Sequence, residues 1–165
     1  MDITLKTSTL FLAILMTGLS SGLFYAWEFS VVPGTKKISD SSYLETMQSI
    51  NRAILNPGFF AIFFGSLLFL AISTYLQYKA GFNFSFWMVL IALISYLVGT
   101  VGVTVIGNVP LNEALDAISL SDLSVERIKT TRETYELKWN IYHKIRTLCA
   151  VVSFTAVLLS HVFNQ

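Results

Sequence analysis

The stretch Thr100-Val101-Gly102-Val103-Thr104-Val105-Ile106-Gly107-Asn108-Val109-Pro110-Leu111-Asn112 decides how the rest of the chain reads. It closes a long apolar run, and in a helix Thr100, Thr104, Asn108 and Asn112 recur every fourth residue along one face. A polar seam on an otherwise oily helix belongs inside a bundle. Pro110 has no N–H and its ring crowds the preceding turn, so the helix is expected to kink or end here and free the carbonyl of Ile106. Freed backbone at membrane depth needs a polar or wet neighbourhood. The plainer reading is that Gly99, Gly102 and Gly107 only admit a close neighbour and that the asparagines only cap.

Outward from that stretch, the composition sets the class. Apolar residues make up 54% of the 165 positions and charged ones 13%, where an average soluble domain has about 45–50% and 25%. Four apolar runs, 7–32, 59–78, 86–107 and 141–163, each come near the roughly 20 residues that span a bilayer as helix. The expected fold is therefore all-α: one integral membrane domain over 1–165, a four-helix transmembrane bundle with two long helical connections on one membrane face. A net charge of +1 without a basic block excludes nucleic acid as a partner. Cys149, the only cysteine, rules out an internal disulfide and a cysteine-based zinc site. Lys6 before an apolar core and Ser20-Ser21-Gly22 after it resemble a signal peptide, but apolar character continues through Leu23, Phe24, Tyr25, Ala26 and Trp27.

Along the first run Gly18 and Gly22 have the small-xxx-small spacing that lets another helix approach. Thr17, Ser21, Phe24 and Glu28 share a face, and Glu28 is the costly residue, since an ionisable group in an apolar span needs a partner or water. Either it snorkels to the interface or it points inward at a basic group. It lies little more than a turn before Val31-Val32-Pro33-Gly34, where the helix is expected to stop. In the connection that follows, 39–55 reads as an amphipathic helix with Leu44, Met47, Ile50 and Ile54 on its apolar face and Gln48 and Arg52 elsewhere, to rest at the interface or fold over the bundle mouth.

Asn56-Pro57 starts the next helix as cap and first-turn proline, and the second span, nearly without polar groups, reads as lipid-facing scaffold. The short turn Lys79-Ala80-Gly81-Phe82-Asn83 makes the second and third spans antiparallel neighbours, with Trp87 as an interfacial anchor. The second long connection carries Glu126, Arg127, Lys129, Arg132, Glu133 and Glu136 and reads as a solvated helix with internal ion pairs. Trp139, His143, Arg146, Ala150 and Ser153 then form one stripe that carries a basic pair into the membrane. The alternative for that pair is interfacial snorkelling toward lipid headgroups. His161 reads as a surface residue.

Spans in series alternate direction, so Glu28, Asn56, Asn108, Asn112, His143 and Arg146 share one mouth. Cationic residues crowd the two long connections, and the positive-inside bias places that mouth in the cytoplasm with both termini outside. The expected location is the bacterial inner membrane. A Glu and a His at such a mouth can serve as acid and base, with Arg146 and the asparagine amides as donors toward a developing oxyanion. Imidazole plus carboxylate also suits a divalent ion, but there is no close-spaced ligand pair, so no metal is assigned and a bound ion is the weaker reading. Phe24, Trp27 and Trp139 would wall a site for a flat aromatic guest.

These residues resemble the anthrone oxygenase family of small four-span membrane proteins. The resemblance covers nearly the whole chain. It rests on Gly22-Leu23-Phe24-Tyr25-Ala26 with Val32-Pro33, on Met47-Gln48-Ser49-Ile50-Asn51-Arg52-Ala53-Ile54-Leu55-Asn56-Pro57, on Thr104 with Asn108-Val109-Pro110-Leu111-Asn112, and on Trp139 with Arg146-Thr147. Two positions depart from the pattern: Glu28 stands where a small or neutral residue is usual, and His143 where Asn is commoner. Both add an ionisable group at the same mouth and read as a compensating pair. The resemblance implies oxidation of an anthrone-like phenolic ring to a quinone by molecular oxygen without a bound flavin or haem. In that reading His143 is the base, oriented by Glu28, while Arg146, Asn108 and Asn112 bind oxygen atoms, with Asn56 beside them. The competing reading is a non-enzymatic membrane protein whose mouth binds a lipid, a quinone or a partner subunit. Transport is disfavoured because polar residues are read in only one half of the membrane and no inverted repeat is seen.

Overall fold

A computed structural model describes residues 4–163, and all regular structure among them is helical. Four helices are long and apolar enough to cross a bilayer: Leu5–Thr35, Pro57–Ala80, Phe84–Asp116 and Val125–Val162. The protein is a four-helix transmembrane bundle. Each helix starts where its sequence supplies a side-chain cap: Thr4, Asn56, Asn83 and Ser124 accept hydrogen bonds from the backbone N–H of Thr7, Phe59, Phe86 and Arg127. The tight turn before Asn83 uses Gly81 at φ 113°, a backbone region that favours glycine.

Neither interior proline ends its helix: at Pro110, where a kink or an end is expected, the helix continues through a widened turn, and the first helix runs past Pro33 to Thr35, just beyond the stop expected over 31–34. Helix α1 (Leu5–Ala26) passes through a π-helical turn, Trp27–Val31, into α2 (Val32–Thr35). Likewise α5 (Phe84–Ile94) passes through π-helical Ser95–Gly102 and Thr104–Asn108 into α6 (Val109–Asp116). In both places the wide turn comes just before the proline, where Val32 N–H reaches Trp27 O and Val109 N–H reaches Thr104 O. The proline then sits in the first turn of the new segment, where its missing N–H and fixed φ do least harm.

The charged connection and the fourth span are likewise one helix, α7 (Val125–Val162). Its charged part is not simply solvated: Arg132 is only 9% exposed. The Arg132 guanidinium donates to Glu136 and Asp40, and to the carbonyls of Ile38, Thr35 and Lys36. It thereby satisfies the end of α2 and fixes the start of α3 (Asp40–Ala53).

Helix α3 folds over the bundle mouth. Tyr43, Leu44 and Met47 are buried against Leu115, Tyr135 and Trp139. Burial, with the Glu136 carboxylate nearby, pushes the Tyr43 phenol well above its ordinary pKa, so it stays neutral under the Arg132 guanidinium, 4.6 Å away. Gln48 Nε2 donates to Leu115 O and Ile118 O at 2.9 Å each, closing the C-terminal end of α6.

Side chains of the third span register it against α7 along their whole shared length. Ser85 donates to Ser160 O, Ser95 to Cys149 O, Thr100 to Arg146 O and Asn108 to Trp139 O, while Ser153 returns a bond to Ala92 O. A Cβ added at Gly99 would collide with Cys149, and one at Gly107 would lie 2.5 Å from Tyr142 Cγ. Small residues there let the backbones approach, the main route to helix association in lipid. Of the spaced pair in α1, only Gly18 meets a neighbour, Phe154 at 3.1 Å, and Gly22 faces open space.

Helix α4 (Pro57–Ala80) is not wholly lipid-facing scaffold, since it buries Ser66, Ser73 and Gln77. With Ser85 and Ser160 also buried, polar groups occupy both halves of the bundle, which removes one of the two sequence grounds against transport.

Gly99→Ala is expected to cost about 2 kcal/mol through overpacking against Cys149, read as a lower unfolding temperature in detergent, while Gly22→Ala leaves it in place. Arg132→Gln is expected to cost roughly 2 kcal/mol by stripping donors from Asp40 and the α2 carbonyls. A protease-sensitive link between α2 and α3 would accompany that loss, and an unchanged melt would refute it.

Candidate active site

The polar seam of the opening stretch faces α7 at every step. Thr100 bonds to Arg146 O, Thr104 Oγ1 lies 3.4 Å from Arg146 Nη1, and Asn108 bonds to Trp139 O. Asn112 Oδ1 accepts from Trp139 Nε1 at 2.9 Å and from the Tyr135 hydroxyl at 3.0 Å. On α7 the stripe Trp139, His143 and Arg146 turns inward, with His143 fully buried and Arg146 9% exposed. Neither side chain snorkels.

Arg146 has no carboxylate within ion-pair distance among the described residues. Its guanidinium carbon lies 4.8 Å from the ring centre of Phe24 and 5.1 Å from that of Trp139. Its Nε donates to His143 Nδ1 at 3.1 Å. The His143 ring stacks on Trp139 at 4.9 Å and meets Phe24 edge-on at 6.2 Å. Aromatic faces hold the cation on two sides.

The partners of the imidazole fix its tautomer. Nδ1 accepts a hydrogen bond from Arg146 Nε, so Nδ1 carries the lone pair. Thr147 donates to His143 O at 2.7 Å, which leaves its oxygen to accept from Nε2, 3.5 Å away. The neutral ring therefore bears its proton on Nε2. Glu28 Oε2 lies 3.7 Å from that nitrogen and has no hydrogen-bond partner. A buried imidazole thus stands between a guanidinium and a carboxylate.

Beside this group is a cavity of about 90 Å³ lined by Phe24, Trp27, Asn51, Asn112, Trp139, His143 and Arg146, among others. Its outer rim is apolar: Leu23 and Val109 are each 36% exposed and Leu55 is 65% exposed. The cavity is smaller than the usual ligand pocket of roughly 300 Å³ or more.

Of the residues singled out from the sequence, Phe24, Trp27, Asn112, Trp139, His143 and Arg146 line this cavity. Asn108 stands behind it, fully buried, with Nδ2 on Trp139 O and Oδ1 unpaired. Asn56 is exposed, and its amide is spent on the cap of α4 and on Ala53 O, so it is not brought to the cavity. Glu28 reaches His143 from outside, and also lines a separate groove of about 600 Å³ with Lys36, Glu133, Glu136 and Lys144.

Sequence reasoning passed over Tyr135, Asn51, Thr104 and Thr147 as site residues. Tyr135 precedes Trp139 by four positions, so the stripe on α7 could have been extended one turn to find it. Its hydroxyl accepts from Asn51 Nδ2 at 3.0 Å and thereby ties α3 to Asn112.

Among the described residues no group of three or more His, Cys, Asp and Glu converges as a metal site would need. Of these residue types only His143 lines the cavity among the described residues, with Glu28 Oε2 3.7 Å from its Nε2 on the outer side. No curated protein and no solved structure matches the chain. The profile of the anthrone oxygenase family matches residues 59–156, more than half of the sequence, covering the second and third spans and most of α7. The chain belongs to the anthrone oxygenase family.

Proposed function

We propose that this protein is a membrane oxygenase that oxidises an anthrone-like or phenolic aromatic with molecular oxygen in the Phe24–Trp139–His143–Arg146 cavity. The observation that carries this reading is the buried Arg146 guanidinium, without an acid partner among the described residues, beside an imidazole in an aromatic-walled cavity. A cation so placed favours a guest oxygen that becomes anionic during the reaction. The apolar rim suits a guest dissolved in the membrane.

An anthrone methylene is acidic because its anion is an aromatic enolate. Arg146 turns from His143 Nδ1 to the guest oxygen, and the freed Nδ1 lone pair takes the C–H proton. The electron-rich carbon gives one electron to oxygen, and the radical pair combines as a peroxide. Protonation of the outer peroxide oxygen, loss of the second C–H proton and cleavage of the O–O bond yield the quinone carbonyl and hydroxide, which a proton converts to water. One methylene and one dioxygen thus become one carbonyl and one water. Asn112 holds Trp139 in place, and Asn108 supports the wall behind the ring. The chain's own residues supply binding, proton transfer and charge stabilisation, with no resident cofactor in this scheme.

The small size of the cavity favours one other reading, a protein that binds a quinone or lipid without turning it over. Oxygen uptake separates the two. His143→Ala and Arg146→Met are each expected to lower kcat/KM for anthrone oxidation by roughly 10²–10³-fold, followed by oxygen consumption and quinone absorbance in purified protein. Unchanged oxidation in His143→Ala rules out the base assignment.

We also infer that the mouth faces the cytoplasm of a bacterial inner membrane, because Lys36, Lys37, Arg127, Lys129, Lys138 and Lys144 all lie at the mouth end while Lys6 and Lys79 mark the other. Alkaline phosphatase fused to the C-terminus is expected to be active outside the cell. An inactive phosphatase fusion paired with a fluorescent cytoplasmic reporter would reverse the orientation.

A further inference from the structure

The oxidation just described needs its proton to leave a cavity whose rim is apolar, and later to return. We propose that Glu28 is the proton outlet of the cavity, linking His143 to the polar groove on the other side of the helix wall. This inference rests on the proposed reaction. Glu28 does not line the cavity and does not touch the guest; it acts through His143.

The placement of the carboxylate carries the inference. Its side chain is 16% exposed, and Oε2 is buried without a hydrogen bond, 3.7 Å from His143 Nε2. A carboxylate bordering a polar groove would be expected to turn both oxygens to water, because burying one unpaired is costly. Here one oxygen instead faces the ring, 3.7 Å from His143 Nε2 and beyond hydrogen-bond length, with the Thr147 hydroxyl and the backbone of Phe24 as further partners of the imidazole. The rest of Glu28 borders the groove of about 600 Å³, whose charged members are Lys36 at the end of α2 and Glu133, Glu136 and Lys144 on α7. From α7, His143 faces Glu28 directly, and Arg146 lies on the far side of the ring. The π-helical turn Trp27–Val31 contains Glu28, a position where helices often carry functional groups.

The ring is accordingly a two-sided carrier. As Nδ1 takes the guest's C–H proton, the Nε2 proton moves to Glu28 Oε2, so the imidazole is neutral again and the carboxylate becomes a carboxylic acid. Glu28 then releases that proton to groove water as the anion reacts with oxygen. Reversal of the same steps returns a proton when the O–O bond breaks, so protons balance over the cycle while being exchanged with solvent.

The test uses the full-length protein in detergent with anthrone as the probe. In deuterium oxide without oxygen, wild-type protein is expected to wash deuterium into the anthrone methylene faster than buffer alone. Glu28→Gln is expected to slow this catalysed exchange at least about tenfold, while anthrone still quenches tryptophan fluorescence at wild-type concentrations. Glu28→Asp is expected to retain part of the exchange, and added formate to restore it in Glu28→Ala. Catalysed exchange as fast in Glu28→Gln as in wild type overturns the outlet and leaves the proposed reaction standing. Absence of catalysed exchange in the wild type overturns both.

Discussion

A guanidinium buried among apolar helices, with no carboxylate paired to it among the described residues, is the constraint to which the rest of this molecule answers. Taking a charge out of water costs several kcal/mol or more even after relaxation, so Arg146 can persist only where other groups replace its hydration. Two aromatic faces, the Nδ1 lone pair of His143 and the Thr104 hydroxyl do this. The compensation is incomplete by design of the partners: all are neutral, and none cancels the charge. An arrangement of that kind is poised for a guest that brings or develops a negative oxygen. It also explains why Trp139 is held so firmly, by Asn112 at its indole nitrogen and by Asn108 at its carbonyl.

The bundle delivers these groups through two devices. Hydroxyl and amide side chains of the third span bond to carbonyls of α7, fixing the register that puts Thr104 and Asn112 opposite the Trp139–Arg146 stripe. The π-helical turns before Pro33 and Pro110 let both helices continue to the mouth, and Glu28, Thr104 and Asn108 all lie within those turns. The prolines and the site are therefore one local arrangement in two copies, on different spans.

Much of this was legible in the residues alone. Four apolar runs of spanning length gave the bundle, and the alternation of direction brought Glu28, Asn112, His143 and Arg146 to one mouth. The every-fourth-residue spacing of Thr100, Thr104, Asn108 and Asn112 gave the seam that faces α7. What escaped was set by long-range partners. Arg132 looks like any member of a charged helix until the ends of α2 and α3 converge on it. Ser73 and Gln77 are sparse enough in α4 to read as incidental, yet both face inward. Asn56 fits a site as well as a cap by type, and only the exposure of its position decides for the cap. At Pro33 a helix stop and a π turn carry the same local signal, so the widened turn could not be read from the residues alone.

The rim formed by Leu23, Leu55 and Val109 has a consequence for how such a protein would be studied. If guests reach the cavity across that greasy threshold, their effective concentration is set by moles per mole of lipid and not by the volume of buffer. Dilution with extra detergent or lipid would then weaken apparent affinity at constant total guest, and homologous guests would rank by their partition coefficient before any contact inside the cavity discriminates among them.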